Sequence, residues 1–219
     1  MMMEKHITEQ MLDALRERVR PLMSEKRYAH TCAVERMAAR LGELYCPEQI
    51  PELRAAALLH DITKKETLQN QLQLCKKFDI MVRPCDELAP KTFHAKTAAA
   101  KIPSEFSEFA TDTVISAVRW HTTGHADMTL TEQIIYLADY IDDTRKFVDC
   151  VRLRELFWGA DPCAMDMAAR LAHLRDVLIV SFDMTVQGLL EDGAPISEDT
   201  VLARNWLLLQ RRRDESGVT

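Results

Sequence analysis

The chain has 219 residues, of which 47% are apolar and 28% charged, and a formal net charge of −6. That length suits one sizeable domain, and the apolar share excludes the low-hydrophobicity signature of a disordered chain. The acidic balance excludes a global positive field for a nucleic acid or an anionic membrane, so an anionic ligand has to meet local cations.

Only six Gly and eight Pro punctuate a sequence rich in Ala, Leu, Met, Glu, Gln, Lys and Arg, the residues that lose least on entering a helix. The opening "MMMEKHITEQ" lacks an apolar core of signal-peptide length. No later stretch reaches the roughly 18 apolar residues of a membrane span. The expected location is the cytoplasm, with no membrane or nucleic-acid partner. Cys32, Cys46, Cys75, Cys85, Cys150 and Cys163 form no C-x-x-C pair and are expected to stay reduced, as small hydrophobes.

Apolar residues recur at helical spacing from Met11 to Val19 and again from His30 to Tyr45, where Val34, Met37, Ala38, Leu41 and Tyr45 form one stripe. His30 stands four residues before Val34 and shares that inward stripe. After "CPEQIP", Pro51 suits the first turn of a helix running through "ELRAAALLHD", which puts His60 and Asp61 at its buried end. "ETLQNQLQLCKKF" is expected to be helical and to be followed by a loop through Pro84 and Pro90. "KTFHAKTAAAKI" restarts a helix with His94 in its first turn, ending before Pro103.

Further on, Val114, Val118 and His121 are spaced i, i+4, i+7, so His121 ends the buried face of a helix that "TTGH" stops. The next helix, "TLTEQIIYLADYIDD", has Thr129 or Thr131 as its cap and aligns Ile135 with Asp139 on one inner face. Residues 160–213 read as two more amphipathic helices separated by "EDGAPISED". No repeat and no convincing alternating strand pattern interrupts them, so the fold class is an all-α bundle. It is expected to be a single domain over 1–219, with a metal-binding core at about 25–146 and C-terminal helices, about 160–213, packed on it.

His30, His60 with Asp61, His94, His121 and Asp139 therefore all point inward. A lone buried His is ordinarily a hydrogen-bonded core residue, but four imidazoles and two carboxylates buried together without a cation would cost several kcal/mol per unpaired charge, to order of magnitude. A divalent ion removes that cost. Imidazole with carboxylate and no thiolate suits iron, manganese, nickel or zinc, in one or two ions. The two oxygens of Asp61 could bridge two ions while His60 binds one.

The order H…HD…H…H…D resembles that of the HD metal-dependent phosphohydrolases. More narrowly, "RYAHTCAV", "LLHDITKK", "FHA", "RWHTTG", "IIYLADYIDDTR" and "TVLARNWL" resemble the symmetrical bis(5'-nucleosyl)-tetraphosphatases of the YqeK type, over about residues 10–208. The resemblance implies an HD-domain fold and hydrolysis of diadenosine tetraphosphate, or related dinucleoside tetraphosphates, to two nucleoside diphosphates at an iron-containing site. It makes His30, His60, Asp61 and Asp139 ligands of the better-held metal, and gives His94 and His121 to a second position or to phosphate. Asp61 and Lys64 become the catalytic pair. Arg27, Lys64, His94, His121, Thr122, Gly124, His125, Arg145, Thr200 and Arg204 become substrate contacts, with "DTVLARN" walling in the nucleoside. Lys65, Lys96, Lys146 and Arg119 read as surface.

Two departures stand out. The arginine that follows "TSG" in those enzymes is His125 here, a titratable cation in place of a permanent one, and the usual Tyr before "NWL" is Arg204. Rival readings are an HD phosphohydrolase acting on a deoxynucleotide, a nucleoside monophosphate or a cyclic dinucleotide; a di-iron oxygenase resembling inositol oxygenase; and a non-catalytic module stapled by metal. A homodimer is left open.

Overall fold

A computed structural model describes residues 6–83 and 86–216, so the expectations placed on Pro84 and Cys85 lie outside the described residues. Ten α-helices follow one another, with no strand among the described residues: α1 (Glu9–Val19), α2 (Glu25–Tyr45), α3 (Ile50–Leu59), α4 (Leu68–Lys77), α5 (Phe93–Glu105), α6 (Asp112–Trp120), α7 (Leu130–Ile141), α8 (Val148–Gly159), α9 (Met167–Glu191) and α10 (Glu198–Ser216).

Local chemistry explains where these helices begin. Thr8, Ser24, Thr67, Thr111, Thr129 and Asp166 each accept a backbone N–H in the first turn that follows them. Thr129 and Glu132 form a reciprocal capping box that fixes the start of α7. Pro51 occupies the first turn of α3, as its sequence position predicts.

Helix α2 lies along α3, and α3 is covered in turn by α1, α6 and α7. Ala55, Ala56, Ala57, Leu58 and Leu59 are all buried, which is why the second half of α3 is apolar all round rather than amphipathic. Helices α9 and α10 pack on each other as a hairpin, and α9 reaches α2 and α8. One hydrophobic core runs from Ile7 through to Leu207. The buried Glu35 carboxylate ties three helices together, accepting from Arg16 Nε at 2.8 Å and Arg54 Nε at 2.9 Å. No helix among the described residues is long and apolar enough to cross a membrane.

Four expectations need correction. Helix α5 does not stop before Pro103 but carries it to Glu105; the missing N–H falls in the last turns, which buried Ile102 and Phe106 anchor in the core. Residues 148–159, assigned to no element, form α8, with Cys150, Leu153 and Phe157 buried at helical spacing. Lys96 is buried rather than on the surface, because Asp86 from the loop after α4 covers it at 3.2 Å. Arg119 is half-buried, its guanidinium 3.9 Å from the Trp120 ring.

The turn between α6 and α7 requires glycine at one position. Gly124 has φ +59, and an added Cβ would lie 2.7 Å from Phe182 Cζ and 3.1 Å from Ala203 Cβ, on α9 and α10. Gly124→Ala is expected to destabilise the protein by about 2–4 kcal/mol, summing left-handed backbone strain and overlap with a packed ring. Urea denaturation tests this, and a loss below about 1 kcal/mol would count against it.

Candidate metal centre

The four histidines reach one place from four different helices. His60 follows α3 directly, and its Nδ1 bonds to the Ala57 carbonyl at 2.6 Å. His94 and His121 repeat the arrangement, with Nδ1 on Lys91 O and on Val118 O, both at 2.7 Å. In each case a carbonyl three residues back accepts the Nδ1 proton and turns Nε2 inward, which also sets the tautomer a metal needs. His30 has no such carbonyl. Its Nδ1 stands 3.2 Å from Asp142 Oδ2 and 3.3 Å from Thr144 Oγ1.

Asp61 divides the cluster between its two oxygens. Oδ2 accepts from Arg27 at 2.8 Å and faces His60 Nε2 at 3.3 Å, while Oδ1 faces His94 Nε2 at 3.2 Å and His121 Nε2 at 3.9 Å. Asp139 Oδ1 lies 2.9 Å from His30 Nε2 and 3.9 Å from His60 Nε2, and Arg145 donates to it at 2.6 Å. Lys64 Nζ sits 3.0 Å from His94 Nε2 and 4.0 Å from Asp61 Oδ1.

Two observations fit a cation to this donor set. His30 Nε2 and His60 Nε2 are buried and form no hydrogen bond of regular geometry, their nearest polar neighbours being carboxylate oxygens, Asp139 Oδ1 at 2.9 Å and Asp61 Oδ2 at 3.3 Å. His30, His60 and Asp139 can converge on one ion, as can His60, Asp61 and His121; within each trio the ligand atoms lie within 4.8 Å of one another. Neutral imidazoles with carboxylates, and no thiolate in either trio, are donors for a divalent transition metal.

The electrostatics prepare these groups for that role. Burial holds His94 and His121 below the usual histidine range, so both are neutral at pH 7. Burial works against the Asp61 and Asp139 carboxylates, yet His60 and His94 beside Asp61, and His30 and Arg145 beside Asp139, hold both well below the ordinary range. Burial also lowers the Lys64 ammonium.

A network behind the cluster keeps it in place. Thr63 donates to the His94 carbonyl at 3.0 Å, Gln71 donates to the Thr63 carbonyl at 2.7 Å, and Thr97 donates to Gln71 Oε1 at 2.6 Å, tying α4 and α5 to the turn after His60-Asp61. On the other side Arg154 of α8 donates to the Ile141 carbonyl at 2.8 Å and the Arg145 carbonyl at 2.9 Å, closing the exposed end of α7.

The structure thus gathers His30, His60, Asp61, His94, His121 and Asp139, with Arg27, Lys64, Thr122 and Arg145 around them. Thr122 Oγ1 is 3.1 Å from His121 Nε2. It gathers neither His125 nor the α10 residues. His125 Nε2 lies 3.1 Å from Glu132 Oε2 at the α7 cap, with its ring 4.5 Å from that of Trp120. Thr200 is buried in the first turn of α10, and Arg204 pairs with Asp183. Gly124 meets α9 and α10 as described above.

Asp142 is absent from the sequence-derived set, although its position three residues after Asp139, at the C-terminal cap of α7, is a signal for it. It is fully buried and accepts from Thr144 N at 2.8 Å. Asp142→Ala is expected to weaken metal affinity about 10–100-fold, the usual effect of removing a carboxylate behind a ligating histidine. Competition against a chromophoric chelator reads this; unchanged affinity would remove Asp142 from the assembly.

Residues 27–144 match the HD domain family, more than half of the chain. The chain belongs to the HD domain family. This HD protein is 29% identical over 194 residues to the symmetrical bis(5'-nucleosyl)-tetraphosphatase of Halalkalibacterium halodurans, covering 89% of this chain and 95% of the relative. It is 29% identical over 190 residues to the Bacillus subtilis protein of the same name, covering 87% and 94%. A solved structure from Clostridium acetobutylicum, described as a predicted HD superfamily hydrolase involved in NAD metabolism, superposes with a TM-score of 0.79 at 28% identity, covering 90% of this chain and 97% of that one.

Proposed function

We propose that this HD protein is a symmetrical bis(5'-nucleosyl)-tetraphosphatase that cleaves diadenosine tetraphosphate and related dinucleoside tetraphosphates into two nucleoside diphosphates. The observation that supports the reading is that the six side chains singled out by the motif order lie in one contiguous buried cluster, in a chain matching relatives of that name over nearly their whole length.

His30, His60, Asp61 and Asp139 would hold the first ion, and His94 and His121, sharing Asp61, a second. Iron is the first expectation, with manganese, nickel and zinc as the alternatives. Bound there, a divalent ion supplies charge neutralisation for phosphate oxygens and acidifies water so that hydroxide is available near neutral pH. The chain supplies the rest. Asp61 orients the attacking water through the oxygen facing His94 and His121. Arg27 and Arg145 grip phosphate oxygens from the His30 side, Arg145 through a planar fork suited to bidentate contact. Lys64, on the His94 side, donates to the leaving diphosphate as negative charge develops there.

All six ligand-type residues come from one chain, so a homodimer is not required for chemistry. Residues 1–219 form a single HD domain in this reading, supported by the one core running from Ile7 to Leu207. A cytoplasmic location is part of the same proposal.

The test is anaerobic purification, metal analysis and a panel of dinucleoside polyphosphates with products resolved by chromatography. NAD belongs in the panel because of the description of the Clostridium neighbour. Two equal nucleoside diphosphates support the proposal. A nucleoside with free phosphate, or no cleavage of any tetraphosphate at any metal loading, rejects it.

A further inference from the structure

A cavity of about 660 Å³ opens beside the His-Asp cluster, within the ~300–1,000 Å³ of small-molecule sites. Its inner wall belongs to the cluster. His30 lines it, and so do Arg27, which bonds Asp61, and Arg145, which bonds Asp139. Lys26 and Lys146 extend the wall outward, and Phe147 completes it. Four cations therefore line the cavity with no carboxylate among the lining residues, a local reversal in a chain of net charge −6.

Phe147 is the unusual member. It is the residue before α8, and its side chain is 70% exposed. Its ring is in contact with no other aromatic ring or cation among the described residues, although Lys146 is its chain neighbour and Lys26 shares the wall. An exposed ring at the mouth of a cationic cavity offers a π-face to something that also carries phosphate. The hydroxyls nearby are already engaged: Ser24 Oγ accepts from Arg27 N at 3.3 Å, and the Thr144 hydroxyl donates to Asp142.

We infer that this cavity seats one nucleoside end of the substrate, with its base stacked on Phe147 and its first phosphate between Lys26 and Lys146. The inference rests on the reading of the protein as a dinucleoside tetraphosphatase. It moves the nucleoside away from α10, where Thr200 is buried and Arg204 is paired with Asp183. It also predicts base tolerance. No carboxylate or amide side chain lines the cavity to read a base edge, and stacking is available to every base.

The experiment is calorimetric titration of the metal-loaded full chain with ADP, GDP and inorganic pyrophosphate. The wild type is expected to bind ADP and GDP within about threefold of each other, and each about tenfold tighter than pyrophosphate, the lower range of a base–aromatic stack. Phe147→Ala should remove that tenfold preference and leave pyrophosphate affinity unchanged, while Phe147→Trp restores it. Because Phe147 lies outside the core, neither variant should disturb folding. A wild type with no preference for ADP over pyrophosphate overturns the inference, as does a Phe147→Ala variant that keeps the preference or loses pyrophosphate equally. If ADP binding depends on Phe147 but no dinucleoside tetraphosphate is cleaved, the nucleoside seat stands and the proposed reaction fails.

Discussion

Asp61→Asn is expected to lower kcat/KM for dinucleoside tetraphosphate by about 10³-fold or more while leaving the helical content unchanged. The substitution keeps the volume and removes one negative charge from a buried site. Asp61 Oδ2 now accepts from Arg27 at 2.8 Å and faces His60, and Oδ1 faces His94 at 3.2 Å. An amide has one acceptor oxygen: turned to Arg27 it leaves NH₂ on His94 Nε2, where it occupies the lone pair an ion needs, and turned the other way it sets NH₂ against the Arg27 guanidinium. The carboxylate now held well below its ordinary range by His60 and His94 would be gone, leaving four imidazoles, Arg27 and Lys64 with one fewer counter-charge. Ion binding and water orientation fail together, so loss of a ligand combines with loss of transition-state stabilisation, each worth ~10²-fold or more. Metal content, product chromatography and circular dichroism on the same sample decide it. A variant that binds metal to the wild-type level and keeps more than a tenth of the activity would show that Asp61 is neither a ligand nor a catalytic group.

The parts of this site legible in the sequence are those that depend only on helix period and helix ends. His30 is on the stripe of α2, His60 and His121 directly follow the buried faces of α3 and α6, and Asp139 shares a face of α7 with Ile135; three-residue and four-residue spacing is enough to aim each of them. What stayed hidden depends on chain segments meeting across loops. Lys96 looks like a surface lysine until Asp86 is brought over it. His125 matches a phosphate-contacting position by motif, but Glu132, buried and bound to the α7 cap, draws its ring the other way. Helix α8 carries a readable pattern in Cys150, Leu153 and Phe157, yet its low amphipathicity, with Arg152, Arg154 and Glu155 between them, conceals it. That helix brings Arg154 to the carbonyls of the α7–α8 turn and exposes Phe147 at the cavity, two features that no local pattern announces.

Proton competition at His30 gives the second large effect. The ordinary imidazole pKa is about 6.5; in the folded, metal-free chain burial pushes His30 down, but the carboxylates of Asp139 and Asp142 outweigh it and hold it up to about 9. A value higher in the folded state means the fold binds the proton more tightly. That stabilisation is complete below pH 6.5 and is lost as pH rises through 9, about 3 kcal/mol in all. A cation at Nε2 needs the neutral ring, so its binding releases this proton and its apparent affinity rises about tenfold per pH unit up to 9. His94 and His121 add no comparable dependence above pH 6.5, because burial already keeps them neutral there. Chelator-treated protein should therefore lose stability to urea between pH 6.5 and 9, while metal competition titrations at pH 7 and pH 8 should differ about tenfold in affinity. Equal affinities at the two pH values, or a metal-free fold that gains stability on the alkaline side, would mean that His30 is not the protonated partner of Asp139 and Asp142.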